Sequence, residues 1–162
     1  MTFAAAVEAH LDDVHAYLIY LTGDRSVAED LTADTFEKAL RNWPRFDPRR
    51  ASPKTWLCQI ARTTALDHFR AERRRRRRED AYVLQERAEE QGVFGEGLSP
   101  ALESALRSLS AADREVIALR VLLDLDGESA ARLLGISPTA VSTRLSRALR
   151  TLEEKVRSDV LA

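Results

Sequence analysis

The chain has 162 residues, 44% hydrophobic and 31% charged, with six Gly, five Pro and a formal net charge of −1. That length allows one ordinary domain or two small ones, and that composition excludes disorder over most of it. Aromatics make up only 6%, so a core has to come mainly from Leu, Val, Ile and Ala, and a half-chain of roughly 70 residues built this way is marginal alone.

Cys58 is the single cysteine. One thiol forms no internal disulfide, and no second Cys or His stands at metal-ligand spacing. Its neighbours Trp56, Leu57 and Ile60 mark it as a core thiol. His10, His15 and His68 have no nucleophile or metal partner near them, so neither an enzyme nor a cofactor is expected. The N-terminus lacks a charged stretch followed by an apolar run, and nowhere do 18 apolar residues stand together. No signal peptide and no membrane span are expected, which places the protein in the cytoplasm.

The near-zero net charge hides a strong segregation. Residues 1–40 carry eight acids against two bases, and residues 41–78 carry thirteen bases against three acids. Residues 79–103 return to seven acids against one base, and the remainder is nearly balanced. Charges sorted this way imply separate electrostatic tasks along one chain.

In chain order, Val7, Leu11, Val14, Leu18 and Leu21 recur at spacings of four and three, which predicts an amphipathic helix ended by Gly23. Ser26 and Glu29 have the form of a capping box opening a second helix, with Val27, Leu31, Thr35 and Ala39 on one face. Asp30, Asp34, Glu37, Lys38 and Arg41 lie on its other faces. Residues 42–52 hold two prolines and are expected to loop. Ser52-Pro53 then caps a third helix with Leu57, Ile60, Ala61, Ala65 and Phe69 inward, ending in the six arginines Arg73 to Arg78. Residues 79–98 are acidic and Gly-containing, the composition of a flexible linker. A short helix over about 100–108 follows Ser99. Another starts at Ser110 and buries Val116, Ile117, Leu119 or Val121, and Leu122. Residues 124–127 read as a turn.

Residues 128–150 carry the strongest local signal. A short helix with Ala131 and Leu134 inward is stopped by Gly135, Ile136 plugs the turn, and Ser137-Pro138 opens a second helix. Val141, Leu145, Ala148 and Leu152 form its buried stripe. Thr139, Ser142, Thr143, Ser146, Arg147 and Arg150 stay exposed, with Arg144 flanking. This is a helix-turn-helix whose hydroxyls and arginines suit bases and phosphates in a major groove; the plainer reading is a helical hairpin with a solvated face. The arginine run, Arg62 and Arg70, with Arg45, Arg49, Arg50 and Lys54 of the loop, form a second basic surface, whose binding to nucleic acid should depend steeply on salt. Trp43, Phe46 and Trp56 bracket the loop and are placed to support or stack on an unpaired base, although core packing is the simpler role for Trp56.

These motifs resemble the extracytoplasmic-function (ECF) sigma factor family over nearly the whole chain. Ala28-Glu29-Asp30-Leu31, Asp34-Thr35-Phe36 and Lys38-Ala39 resemble its polymerase-clamp helix. Thr55-Trp56-Leu57, Ile60-Ala61-Arg62, Leu66-Asp67 and Phe69-Arg70 resemble its helix for the −10 promoter element. Leu109-Ser110 and Asp113-Arg114-Glu115-Val116, followed by the helix-turn-helix, resemble its −35-reading domain. The resemblance implies an all-α fold of two small helical domains, 1–78 and 99–162, joined by an acidic linker over 79–98. It implies a sigma factor that binds core RNA polymerase through Asp30, Leu31, Asp34, Phe36 and Lys38. Contacts to −10 DNA would come from Arg45, Arg49, Arg50, Lys54, Trp56, Arg62, Thr63, Arg70, Arg73 and Arg74. Contacts to −35 DNA would come from Ser137, Thr139, Ser142, Thr143, Arg144, Ser146 and Arg147. An anti-sigma factor is a further partner that both domains suit. The chain departs from the family at Ala33, where Gln is common, at Thr63, where Asn is common, and at Ser142, where Lys is common. It also lacks the usual aromatic between Asp124 and Ser129. The competing readings are a regulator whose helix-turn-helix binds an operator without polymerase, and an RNA-binding protein using the arginine run.

Overall fold

The computed structural model describes residues 1–78 and 92–161. Most of the expected linker, residues 79–91, lies outside the described residues. Those described are all-α, with no strand among them. Helices α1 (Phe3–Thr22), α2 (Arg25–Asn42) and α3 (Pro53–Arg78) pack on one another as a three-helix bundle. Helices α4 (Pro100–Ser108), α5 (Ala111–Ile117), α6 (Gly127–Leu134) and α7 (Pro138–Leu161) form the second unit, with α7 packed on the other three.

The helix ends follow local capping chemistry. Gly23 and Gly135 end α1 and α6 in the left-handed region, at φ of 64° and 69°, where a side chain would be strained. Ser52, Ser99, Ser110 and Ser137 each accept a backbone N–H from the first turn of the helix that follows. One cap differs from expectation. Helix α2 is opened by Asp24, which accepts from the Val27 amide at 3.1 Å, so Ser26 lies inside the helix. Asp126 caps α6 in the same way, through the Ser129 amide. In the first bundle Val14, Leu18, Leu57, Ala61 and Cys58 are fully buried, each larger aliphatic side chain stabilising by roughly 1.5–3 kcal/mol relative to exposure.

A second difference lies after α5. The chain runs on through a π turn, Ala118–Leu122, in which the Leu123 amide donates to the Ala118 carbonyl at 2.9 Å. The wider turn advances the helical phase by about one residue, roughly 100°. Leu119 and Leu123 therefore take the inward places, whereas Val121 is 54% and Leu122 41% exposed. Leu122 was expected inside and is not.

The two units touch. Helix α1 packs against α5 and the π turn, and α3 against α6. The end of the stretch expected to be a flexible linker is part of this junction: Val93 and Phe94 are buried. Phe94 meets Tyr20 edge-on at 5.3 Å and lies under the Arg114 guanidinium at 5.7 Å.

Candidate nucleic-acid interface

Helix α2 turns Ala28, Leu31, Thr35 and Ala39 into the bundle, which leaves Glu29, Asp30, Asp34 and Glu37 on its outer side, exposed. Among the residues expected at the polymerase, Asp30 and Asp34 lie in this acidic row. Leu31 is 4% exposed and belongs to the core, so it supports the row from beneath instead of meeting a partner. Phe36 and Lys38 are half-buried, and Lys38 Nζ donates to Thr64 Oγ1 across to α3 at 3.2 Å.

Between α2 and α3 the loop is drawn together by aromatic rings. Trp43 and Phe46 stack at 4.9 Å, and Trp56 meets both, at 5.8 Å and 5.1 Å. Phe3 closes the cluster against Trp43 at 5.6 Å. The rings mainly support one another, and an edge of Trp56 lines a cavity with Asn42, Gln59 and Thr63. Arg45, Arg49 and Arg50 project from the loop into solvent. Hydrogen bonds from Arg49, first its side chain and then its amide, hold the Asp47 carboxyl below the usual carboxylate range.

The α3 residues expected at −10 DNA divide among three sides of the helix. Trp56, Thr63, Arg70 and Arg74 share the open row, since positions three and four apart superimpose on a helix. Gln59 belongs to the same row; its spacing from Trp56 and Thr63 in the sequence would have identified it. Arg73, though exposed, lines a cleft with Thr22, Asp24 and Glu72 on the α1–α2 side. Lys54 and Arg62 face the second unit. Lys54 Nζ donates to the Leu123 carbonyl at 2.8 Å, and Arg62 Nε to Glu115 Oε2 at 3.0 Å.

In the second unit, α7 presents Thr139, Ser142, Thr143, Ser146, Arg147 and Arg150 to solvent, and Arg144 is half-buried at the flank. Ser137 holds the Ala140 amide at 3.1 Å, so its hydroxyl is engaged in the cap. Val141 and Ala148 are buried beneath. Ile136 fills the turn partly buried. The exposed face is polar, uninterrupted and one helix wide, the dimension a major groove admits.

Buried polar groups between the units escaped the sequence reading. Glu115, 5% exposed, accepts from the Tyr17 hydroxyl at 2.6 Å as well as from Arg62. Burial, and then the neighbouring Glu115 charge, pushes the Tyr17 hydroxyl well above its ordinary range. Arg114 reaches the other way. Its Nε donates to the Tyr20 carbonyl at 2.7 Å and its Nη1 to Leu109 at 2.6 Å, with longer contacts to Leu106 and Arg107. It thus gathers carbonyls around the end of α4 and joins them to α1.

The Sigma-70 region 2 family model matches residues 6–75, and the Sigma-70 region 4 model residues 99–152. The first match ends within α3 and the second starts at the Ser99 cap. The ECF RNA polymerase sigma factor SigC of Mycobacterium tuberculosis is 32% identical over 146 residues, 89% of this chain and 77% of its own length. The chain belongs to the ECF sigma factor family. BldN of Streptomyces coelicolor, another ECF sigma factor, is 33% identical over 97% of the chain, which spans 61% of that longer relative. Among solved structures, the sigma factor RpoE of Bartonella quintana, in complex with the anti-sigma factor NepR, superposes with a TM-score of 0.83. Its identity is 28%, over 97% of this chain and 98% of that one. CnrH, in complex with the cytosolic domain of CnrY, superposes with a TM-score of 0.69 at 26% identity, over 97% and 88% of the two chains. No helix among the described residues of this ECF sigma factor is long and apolar enough to cross a membrane.

Proposed function

We propose that this ECF sigma factor binds core RNA polymerase, directs it to specific promoters and assists opening of the −10 element, acting in the cytoplasm without catalysis or cofactor of its own. Residues 1–78 form the polymerase- and −10-binding domain and residues 99–162 the −35-reading domain, with 79–98 between them. The acidic row with Asp30 and Asp34 docks on a basic part of the polymerase clamp. Arg45, Arg49 and Arg50 hold the non-template strand at the loop, beside Trp56. Thr63, Arg70 and Arg74 track the adjacent duplex. Unstacking a base costs a few kcal/mol, and phosphate contacts along this row offset that without ATP. Thr139, Ser142, Thr143, Ser146 and Arg147 read the −35 element, Arg144 flanks them, and Ser137 sets the helix N-terminus. An anti-sigma factor is a further partner, supported by the complexes in which the similar RpoE and CnrH chains occur.

The observation that carries this reading is the separation of three solvent-facing surfaces: an acidic row on α2, a basic row on α3 and its loop, and a polar face on α7. Run-off transcription from genomic fragments tests it. Core enzyme plus this protein should yield discrete transcripts, and Asp30→Ala with Asp34→Ala should lower core binding. Footprints formed by the protein alone and unchanged by core enzyme would establish the operator-binding regulator instead.

A further inference from the structure

A cavity of about 330 Å³, where the loop after α2 and the start of α3 meet α6, brings together Arg45, Arg50 and Arg132. The carboxylate lining it with them is Asp47, which Arg49 engages at 3.2 Å, with Arg50 at a longer 3.9 Å. Asp126 also feels the Arg132 charge, but it accepts the Ser129 amide at 2.7 Å as the cap of α6. Arg132 Nη1 donates instead to the Arg50 carbonyl at 3.3 Å, which draws one arginine to the backbone of another. Cations gathered in this way repel one another until an anion joins them. Guanidinium forks match phosphate oxygens in particular.

The rest of the lining fits the organic half of a phosphate-bearing ligand. Half-buried Trp56 and exposed Gln59 supply it from α3, and buried Leu133 from α6. An aromatic ring stacks on any base, and a glutamine amide offers a donor and an acceptor to a base edge. The volume is at the small end of ligand cavities, a size for one nucleotide and not for a strand. We propose that this cavity binds a purine nucleoside diphosphate, its phosphates among Arg45, Arg50 and Arg132 and its base against Trp56, with Gln59 at the base edge. A nucleotide within a DNA strand offers the same chemistry. The two sources differ in what they need from α6: the free nucleotide requires Arg132, whereas a strand tracks the loop and α3. Arg45, Arg50 and Trp56 are also expected at −10 DNA. Under the proposed sigma function, on which this consequence rests, bound nucleotide and promoter strand exclude one another, and the nucleotide is an effector of promoter binding.

Titration calorimetry of the full chain with ADP, GDP and pyrophosphate measures the site without polymerase. Both nucleotides should bind one to one, and pyrophosphate, which lacks the base, at least tenfold more weakly. Arg45→Ala and Arg132→Ala should each weaken ADP binding at least fivefold. Arg157→Ala removes the same charge from the far end of α7, where the side chain is exposed, and should change it less than about twofold. Should Arg132→Ala loosen the junction between the units, Arg45→Ala decides, since it lies on the exposed loop. Affinity for a fluorescent mixed-sequence 20-nucleotide single strand should fall for Arg45→Ala but stay within about twofold for Arg132→Ala. Saturating ADP should lower that affinity at least threefold in the unsubstituted chain. Absence of saturable binding would overturn the proposal, as would equal affinity for pyrophosphate or an equal loss at Arg157→Ala. A strand as sensitive to Arg132→Ala as ADP is would also overturn it, by assigning the cavity to DNA. Nucleotide binding that passes these tests in a chain that yields no discrete transcripts with core enzyme would retain the site and reject the sigma function.

Discussion

At the scale of single residues, burial sets the chemistry of this protein more than charge pairing does. Arg114 is a buried cation whose contacts are mostly backbone carbonyls and the Phe94 ring, and burial lowers its affinity for the proton. Lysine would not replace it, because one ammonium cannot span carbonyls on two helices as a planar fork does. Cys58 shows the same control in a neutral group. Its thiol is fully buried, and burial, followed by the Asp13 charge, pushes it from an ordinary value of 9.0 up to about 12. The folded chain thus keeps a proton that the unfolded chain releases, and the stability this contributes is complete below pH 9 and lost between pH 9 and pH 12. Each pH unit in that window should cost about 1.4 kcal/mol. Urea unfolding between pH 8 and 11 should show the parent falling more steeply than Cys58→Ala. Tyr17, raised in the same direction, contributes to both proteins and cancels from the difference. Parallel slopes would contradict it.

At the scale of elements, α3 carries the most consequential asymmetry. Its arginine run continues the helix to Arg78, so six adjacent guanidinium groups spread around the axis and cannot all reach one duplex. Arg70, Arg74 and Arg77 extend the Thr63 row, whereas Arg73 and Arg76 line the cleft shared with Asp24 and Glu72. Replacing the first three with serine should weaken promoter binding by the polymerase complex. It should also flatten the salt dependence by up to about 0.9 in log–log slope for each phosphate no longer neutralised. Replacing Arg73 and Arg76 should change the slope little. A titration of promoter duplex at several salt concentrations separates the two sets, and equal losses would show the run acting only by total charge. The sequence alone carried α3 this far because periodicity and the Ser52-Pro53 start are local. It also carried the helix-turn-helix, through Gly135, Ile136 and the Ser137 cap. It did not carry the π turn, since nothing in Ala118–Leu122 marks an extra residue per turn, and Leu122 was misplaced for that reason. Asp24 was passed over as a cap because Ser26 and Glu29 satisfy the same pattern two residues later.

At the scale of the whole molecule, the units are joined by contacts between residues nearly a hundred positions apart, such as Tyr17 with Glu115 and Arg114 with Tyr20. Such pairing has no periodic or spacing signature, which is why the acidic, glycine-bearing stretch before Ser99 read as linker alone while Val93 and Phe94 in fact pack inside. The same contacts make the units thermodynamically dependent. Each is too small to be very stable alone, and separating them strips Glu115 of both partners and uncovers Tyr17, Phe94 and Leu119. Unfolding either unit must therefore carry the cost of that exposure, which favours a single cooperative transition. Calorimetry of the free protein should show one endotherm whose van't Hoff enthalpy approaches about 110 kcal/mol, the amount expected for a chain of this length melting as one body near 60 °C. Two independent units would each give roughly half. Weakening the junction should convert the first behaviour into the second, so Arg132→Ala, which leaves both cores intact, should broaden the transition before it lowers either midpoint appreciably.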